Sequence, residues 1–171
     1  MMNMMLHGIE QPNIARVNTL ETKLSDIQEN LQHDIILTNP PFGGEENDSI
    51  KKKLPAGFQT KDTATGFLLH CIKRLKDDGK CGIILPTGDL LSSEGGISER
   101  VREKFLEECN LHTIIQLQKS VFKPYAGMPT NILFFEKPGP TKEIWYYEME
   151  LPLGYKAYNK TNPITIDDFS D

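Results

Sequence analysis

The chain has 171 residues, 38% hydrophobic and 25% charged, which is the size and composition of one globular domain with a core of its own. A formal net charge of −5 is the wrong sign for a surface that grips a phosphate backbone unaided, because sequence-independent affinity for nucleic acid comes from Lys and Arg displacing counterions. Cys71, Cys81 and Cys109 form no CxxC pair and sit in apolar contexts, so they read as reduced thiols of a cytoplasmic protein and no metal site is expected; no run approaches the roughly 20 apolar residues of a membrane span.

In chain order, Met1 to Gly8 reads as the tail of an amphipathic helix with Gly8 as its C-terminal cap. After Pro12, the run Ile14 to Val17 suits a strand, with Asn18 and Thr19 at its carboxyl end. Leu20, Leu24, Ile27 and Leu31 mark one helical face or a compact crossover before a buried strand at 34–38. Residues 43–62 lack an apolar period and read as a mobile loop carrying Lys51, Lys52 and Lys53, which are either a solvated run or a contact to phosphates. Thr65 to Asp77 repeats apolar residues at helical spacing, and Gly79 stops it. Cys81 to Leu85 is the next buried strand, Ser98 caps a helix through Cys109, and His112 to Leu117 is a further strand. Gly95 and Gly96 fall in the loop before that helix, and His7 and His70 fall in helical stretches where a packed or surface imidazole is the ordinary reading. Helices between strands imply parallel pairing. From Ser120 a loop with Phe122 and Tyr125 leads directly into the strand Asn131 to Glu136, so that pair should be an antiparallel hairpin. Ile144 to Met149 is one more strand-like run, giving a domain over 1–149 and a polar surface extension over 150–171.

The stretch Asn39-Pro40-Pro41-Phe42 follows Ile35-Ile36-Leu37 directly and is succeeded by Gly43 and Gly44. Ligands of open α/β sheets bind at the carboxyl ends of strands, so a polar Asn delivered there stands where chemistry is done. Proline lacks a backbone donor and fixes φ, which leaves carbonyls facing outward as acceptors. One amide oxygen and one proline carbonyl together can accept both hydrogens of an exocyclic amine, while the neighbouring aromatic ring offers a stacking face. The alternative is a plain Asn-Pro-Pro turn with Phe42 in the core.

This tetrapeptide resembles the catalytic motif of amino-group DNA methyltransferases, and the form with Phe followed by Gly looks like the adenine-N6 branch. Nearly the whole chain resembles the modification subunit of type I restriction-modification systems. The resemblance rests on the Met-Asn-Met-Met-Leu-His-Gly-Ile opening, Asn18-Thr19-Leu20, Asn39 to Gly43, Gly79 to Pro86, and the segment from Leu111 through Val121-Phe122-Lys123 to Thr130-Asn131-Ile132-Leu133-Phe134-Phe135. It implies a Rossmann-like α/β fold of S-adenosylmethionine-dependent methyltransferases, a mostly parallel sheet with a terminal antiparallel hairpin. It also implies S-adenosylmethionine as cofactor, DNA as substrate, and specificity and restriction subunits as partners. Carried over residue by residue, Asn39 and the Pro40 carbonyl, with Pro41 behind them, hold the adenine amine and Phe42 stacks on the flipped base. Asn18, Thr38 and Asn39 face the cofactor, and Lys51, Lys52, Lys53, Phe122 and Tyr125 are candidates for DNA. Two other readings stay open: a glutamine-N5 protein methyltransferase, which uses a similar motif usually ending in Tyr, and a non-catalytic assembly module. The family's glycine-rich cofactor loop has no counterpart in the right context, so the chain resembles the carboxyl-terminal part of the catalytic domain, lacking its first two strands. Such a sheet should have an unpaired edge beside the Ile35 strand.

Overall fold

The computed structural model describes residues 2–88 and 96–169; Met1, Gly95 and the last two positions of the 150–171 segment lie outside them. Five strands form a single mixed sheet: β1 (His33–Thr38), β2 (Leu75–Pro86), β3 (Asn110–Leu117), β4 (Thr130–Glu136) and β5 (Trp145–Glu148), in the spatial order β1-β2-β4-β3-β5. β1 pairs parallel with β2, and β3 parallel with β5. β4 lies antiparallel between β2 and β3. β1, β2, β3 and β5 therefore run one way and only β4 runs back, so the carboxyl ends of those four strands share one rim of the sheet. The short loop between β3 and β4 closes the hairpin that the sequence implies. β1 is an edge strand with no partner on its outer side among the described residues.

The α-helices among the described residues are α1 (Met2–Leu6), α2 (Asp48–Lys51), α3 (Thr63–Arg74) and α4 (Gly96–Glu108). One sheet face is covered by α3 and α4, where Leu68, Leu69 and Ile72 of α3 and Val101 and Phe105 of α4 meet Cys81, Ile83, Leu85, Leu133 and Phe135. Strand alternation sends the intervening residues to the other face. A smaller cluster of Leu117, Met149 and Tyr158 covers part of that second face, and Tyr158, at 2% exposure, brings part of the 150–171 segment onto the sheet. Towards β1 the second face is open: Ile35 is 67% and Leu37 78% exposed. Gly82 lies between Leu37 and Phe134 on this face, and a Cβ there would come within 3.0 Å of Leu37 Cδ2 and 3.3 Å of a Phe134 ring carbon.

The structure corrects several local expectations. Ile14 to Val17 forms no strand; Ile14 is 49% and Val17 73% exposed, and β propensity without a neighbouring ladder does not make a strand. Of the two readings for residues 19–31 the structure bears out the compact crossover, with three short 3-10 turns and Leu20, Leu24 and Ile27 buried. α3 ends at Arg74, before the expected Asp77, because Leu75 takes extended geometry and is wholly buried as the first residue of β2. α4 starts at Gly96, whose φ of +71° suits glycine, so Ser98 lies inside the first turn instead of capping it. The 43–62 loop is also more ordered than its composition implies. Asn47 caps α2 by accepting from the N–H groups of Ser49 and Ile50, and Ile50 and Leu54 are buried.

Candidate active site

The carboxyl end of β1 delivers Asn39 to the shared rim. Asn39 is exposed and Pro40 is buried, and neither the Asn39 side chain nor the Pro40 carbonyl has a hydrogen-bond partner among the described residues. Two unpaired acceptors thus stand side by side on a backbone that two prolines stiffen. The loop that follows is clamped to the start of α3. Thr63 Oγ1 donates to the Gly44 carbonyl at 3.0 Å, Glu45 bridges to Asp62, and Gly44 itself adopts a φ of +143°. Asp62 caps α3, its Oδ2 accepting from the Thr65 N–H at 2.7 Å and from the Thr65 hydroxyl at 2.6 Å. Asp62→Ala should cost about 1 kcal/mol of stability, measured by denaturant unfolding, and loosen the Gly43-Gly44 turn with it.

Phe42 is half-buried, and its ring meets Phe122 edge to face with centroids 4.9 Å apart. Phe122 also packs on the Leu117, Met149 and Tyr158 cluster, so a residue from the β3–β4 loop fixes the orientation of the Phe42 ring. The structure brings these two sequence-selected aromatics together across 80 positions of chain. Tyr125, on the same loop, stands 90% exposed.

Lys51 closes α2, Lys52 is exposed, and Lys53 Nζ donates to the Glu21 carbonyl at 2.5 Å. Asn18 uses its Oδ1 to accept from the Leu20 N–H at 3.1 Å, capping the 3-10 turn that follows, which leaves its amide nitrogen as the free end.

Two neighbouring cavities share Leu37 and Thr38. The first, about 350 Å³, lies on the open sheet face and is lined by Leu37, Thr38, Asn39, Gly82, Ile132 and Phe134 among others. The second, about 310 Å³, lies between β1, α3 and the 17–22 segment and reaches Val17, Thr19, Phe67, His70 and Arg74. Among the described residues no Asp or Glu lines either cavity. His70 is 1% exposed, and neither ring nitrogen has a partner among the described residues. Burial, with the Arg74 guanidinium adding to it, lowers its pKa to about 4. A depressed histidine pKa means that the unfolded chain takes up the proton first as pH falls. Stability from a neutral His70 is therefore complete above the usual value of 6.5 and is lost as pH drops towards 4, by up to about 3 kcal/mol. Urea unfolding at stepped pH should show this loss, and His70→Leu should flatten that part of the profile.

Sequence reasoning passed over Asn131 and Thr87. Asn131, 3% exposed at the start of β4, donates through Nδ2 to Thr87 Oγ1 at 2.8 Å, and the Thr87 N–H donates to the Pro129 carbonyl at 2.9 Å. These bonds tie the turn after β2 to the start of β4 at the rim. A polar residue opening an otherwise apolar strand was the available signal.

Among the described residues no group of three His, Cys, Asp or Glu side chains is placed to hold a metal, and no helix is long and apolar enough to cross a membrane.

Comparison with known proteins gives a consistent result. The model of the N-6 DNA Methylase family matches residues 1–171. The chain is 49% identical over 168 residues to the methylase subunit of the type I restriction enzyme EcoEI of Escherichia coli, an alignment covering 98% of this chain and 34% of that relative. Its fold superimposes with a TM-score of 0.88 and 40% identity on a modification subunit assigned to a type I restriction enzyme of Vibrio vulnificus YJ016, covering 98% of this chain and 36% of that one. A type I restriction-modification system methyltransferase subunit from Streptococcus thermophilus gives a TM-score of 0.74 at 28% identity, covering 98% of this chain and 36% of that chain. The chain thus spans about a third of the length of the curated relatives it matches.

Proposed function

The chain belongs to the N-6 DNA methylase family, and we propose that it serves, within a type I restriction-modification system, in transferring a methyl group from S-adenosylmethionine to N6 of adenine in DNA. The observation that carries this reading is the pair of unpartnered acceptors, Asn39 Oδ1 and the Pro40 carbonyl, beside the half-buried Phe42 ring at a strand's carboxyl end.

The chemistry sets what these residues must do. The lone pair of the adenine amine is delocalised into the purine, so the amine is a poor nucleophile. Two acceptors, one on each N–H, draw density onto the nitrogen. They bind more strongly as positive charge develops there, which is the differential binding that lowers a barrier. Flipping the base out of the duplex costs a few kcal/mol, and stacking on Phe42 offsets part of it. Pro41 holds the turn, and Phe122 holds the Phe42 ring. When bound, S-adenosylmethionine supplies the electrophilic sulfonium methyl. The described residues fit one end of it only: the free amide nitrogen of Asn18, Thr38 and Asn39 lie at or next to the two cavities, and no carboxylate lines either to meet the ribose or the methionine ammonium. DNA and the specificity and restriction subunits complete the reading as partners. Residues 1–149 supply the partial catalytic domain and 150–171 a surface extension anchored through Tyr158, and the unpaired thiols of Cys71, Cys81 and Cys109 suit the reducing cytoplasm.

The test is a chimera in which residues 1–171 replace the matching third of the EcoEI methylase subunit. With specificity subunit, DNA and cofactor labelled in its methyl group, it should place label on adenine N6. Label on protein glutamine would move the assignment to the protein methyltransferase reading, and a folded chimera that transfers nothing would leave an assembly module.

A further inference from the structure

The rim carries a second site that the reaction chemistry does not use. At the carboxyl ends of β3 and β5 a cavity of about 320 Å³ is lined by Lys119, Lys123 and Lys156, with Gln118, Ser120 and Glu148. Its basic residues come from two separate segments that one buried contact locks together: Ser120 is 8% exposed, and its Oγ accepts the Tyr158 N–H at 2.9 Å. Successive turns fix the loop itself, with the Val121 N–H donating to the Gln118 carbonyl and the Lys123 N–H to the Ser120 carbonyl. Gln118 Nε2 donates to the Met149 carbonyl at 2.6 Å and closes the floor. All three lysines are exposed, and none forms an ion pair among the described residues. In a chain with 24 acidic and 19 basic residues, three unpaired ammonium groups facing one acid in a built cavity are not explained by composition. Like charges held together repel unless an anion joins them. The cavity also has a direction. Lys119 and Lys123 flank Phe122, which touches Phe42, whereas beyond Glu148 the surface turns acidic with Glu150, Asp167 and Asp168.

We propose that this cavity is a phosphodiester cradle, in which Lys119, Lys123 and Lys156 hold the DNA backbone next to the nucleotide whose base reaches Phe42. The inference rests on the proposed DNA substrate and adds where the strand is held. The backbone enters over the β3–β4 loop and turns away before the acidic surface.

Salt dependence of binding reads the cradle directly. The 171-residue chain is titrated against a short fluorescently labelled duplex, first at low ionic strength and then at rising salt. The triple variant Lys119→Gln, Lys123→Gln, Lys156→Gln should lower the slope of log affinity against log salt by about two to three, since each phosphate contact contributes about 0.9. A control triple of exposed lysines elsewhere, Lys23→Gln, Lys80→Gln and Lys142→Gln, changes net charge equally and should change the slope by less than about one. Circular dichroism checks the fold of both. If the triple variant misfolds, each single substitution should still lower the slope by about one. Equal slopes for the two triples, no salt-dependent binding by the unaltered chain, or competition by inorganic phosphate as effective as that by DNA at equal phosphate concentration would each overturn the proposal. Adenine methylation by the chimera is scored separately, so the cradle can fail while the proposed reaction stands, and the reverse.

Discussion

Asn39→Ala in the chimera should lower kcat for DNA methylation by about a hundredfold or more while leaving cofactor affinity within a few-fold, because it removes an acceptor that matters mainly as charge develops on the amine nitrogen. The substitution leaves the turn alone. Pro40 and Pro41 keep the backbone, Thr63 keeps its bond to the Gly44 carbonyl, and among the described residues the Asn39 side chain makes no hydrogen bond that could be lost. Asn39→Asp, which retains an acceptor of the same length, should keep part of the activity. Single-turnover methyl transfer measures the chemical step, and calorimetry the cofactor. Turnover by the alanine variant within a few-fold of the parent would remove Asn39 from the mechanism.

The second large effect concerns the chain by itself. The 171 residues alone should bind S-adenosylmethionine at least two orders of magnitude more weakly than the chimera with the EcoEI methylase subunit, and should not methylate DNA, although the Asn39 loop is intact. Among the described residues no acidic side chain lines the cavities beside Thr38 and Asn39, so none of them offers the ribose hydroxyls and the methionine ammonium a charged partner. Two or three missing hydrogen bonds, at about 1.5 to 3 kcal/mol each when one partner is charged, account for a loss of roughly that size. Titration calorimetry decides it. A micromolar dissociation constant for the isolated chain would mean that the donors are present in residues the two cavities do not include.

Much of this architecture is legible in the sequence because its strands are apolar runs ended by punctuation. Ile35-Ile36-Leu37 stops at Asn39-Pro40, Cys81 to Leu85 stops at Pro86, and the link from Leu117 to Thr130 is broken by Pro124, Gly127 and Pro129 into a loop, which makes the hairpin readable. The parallel run of β1 with β2 follows from the helix between them. Where α3 stops is not readable locally. Leu75 satisfies the helical period and the strand equally, and only the packing of the sheet decides between them. Ile14 to Val17 fails for the opposite reason, since its residues suit a strand but no ladder lies beside it. Ile50, Leu54 and Phe58 recur every four positions in what reads as an irregular loop, a weak period that tertiary burial makes meaningful. At the site, the Asn39 loop can be found from four consecutive residues. The Phe42 to Phe122 contact, the Asn131 to Thr87 hydrogen bond and the gathering of Lys119, Lys123 and Lys156 all join distant segments, and no spacing rule reaches that far.

The strand that ends at Asn39 is laddered on one side only. A residue on an interior strand is freed by breaking two ladders, whereas β1 needs to leave only β2, so its outward amides should exchange with solvent at rates set by local fraying, while those of β4 wait for global opening. The acceptor that must hold an amine to within a fraction of an ångström is thus mounted on an edge strand of the sheet. Any backbone that pairs along the outer edge of β1 therefore stiffens the Asn39 acceptor, so protection of the outward β1 amides becomes a readout of how well the rim is set for reaction.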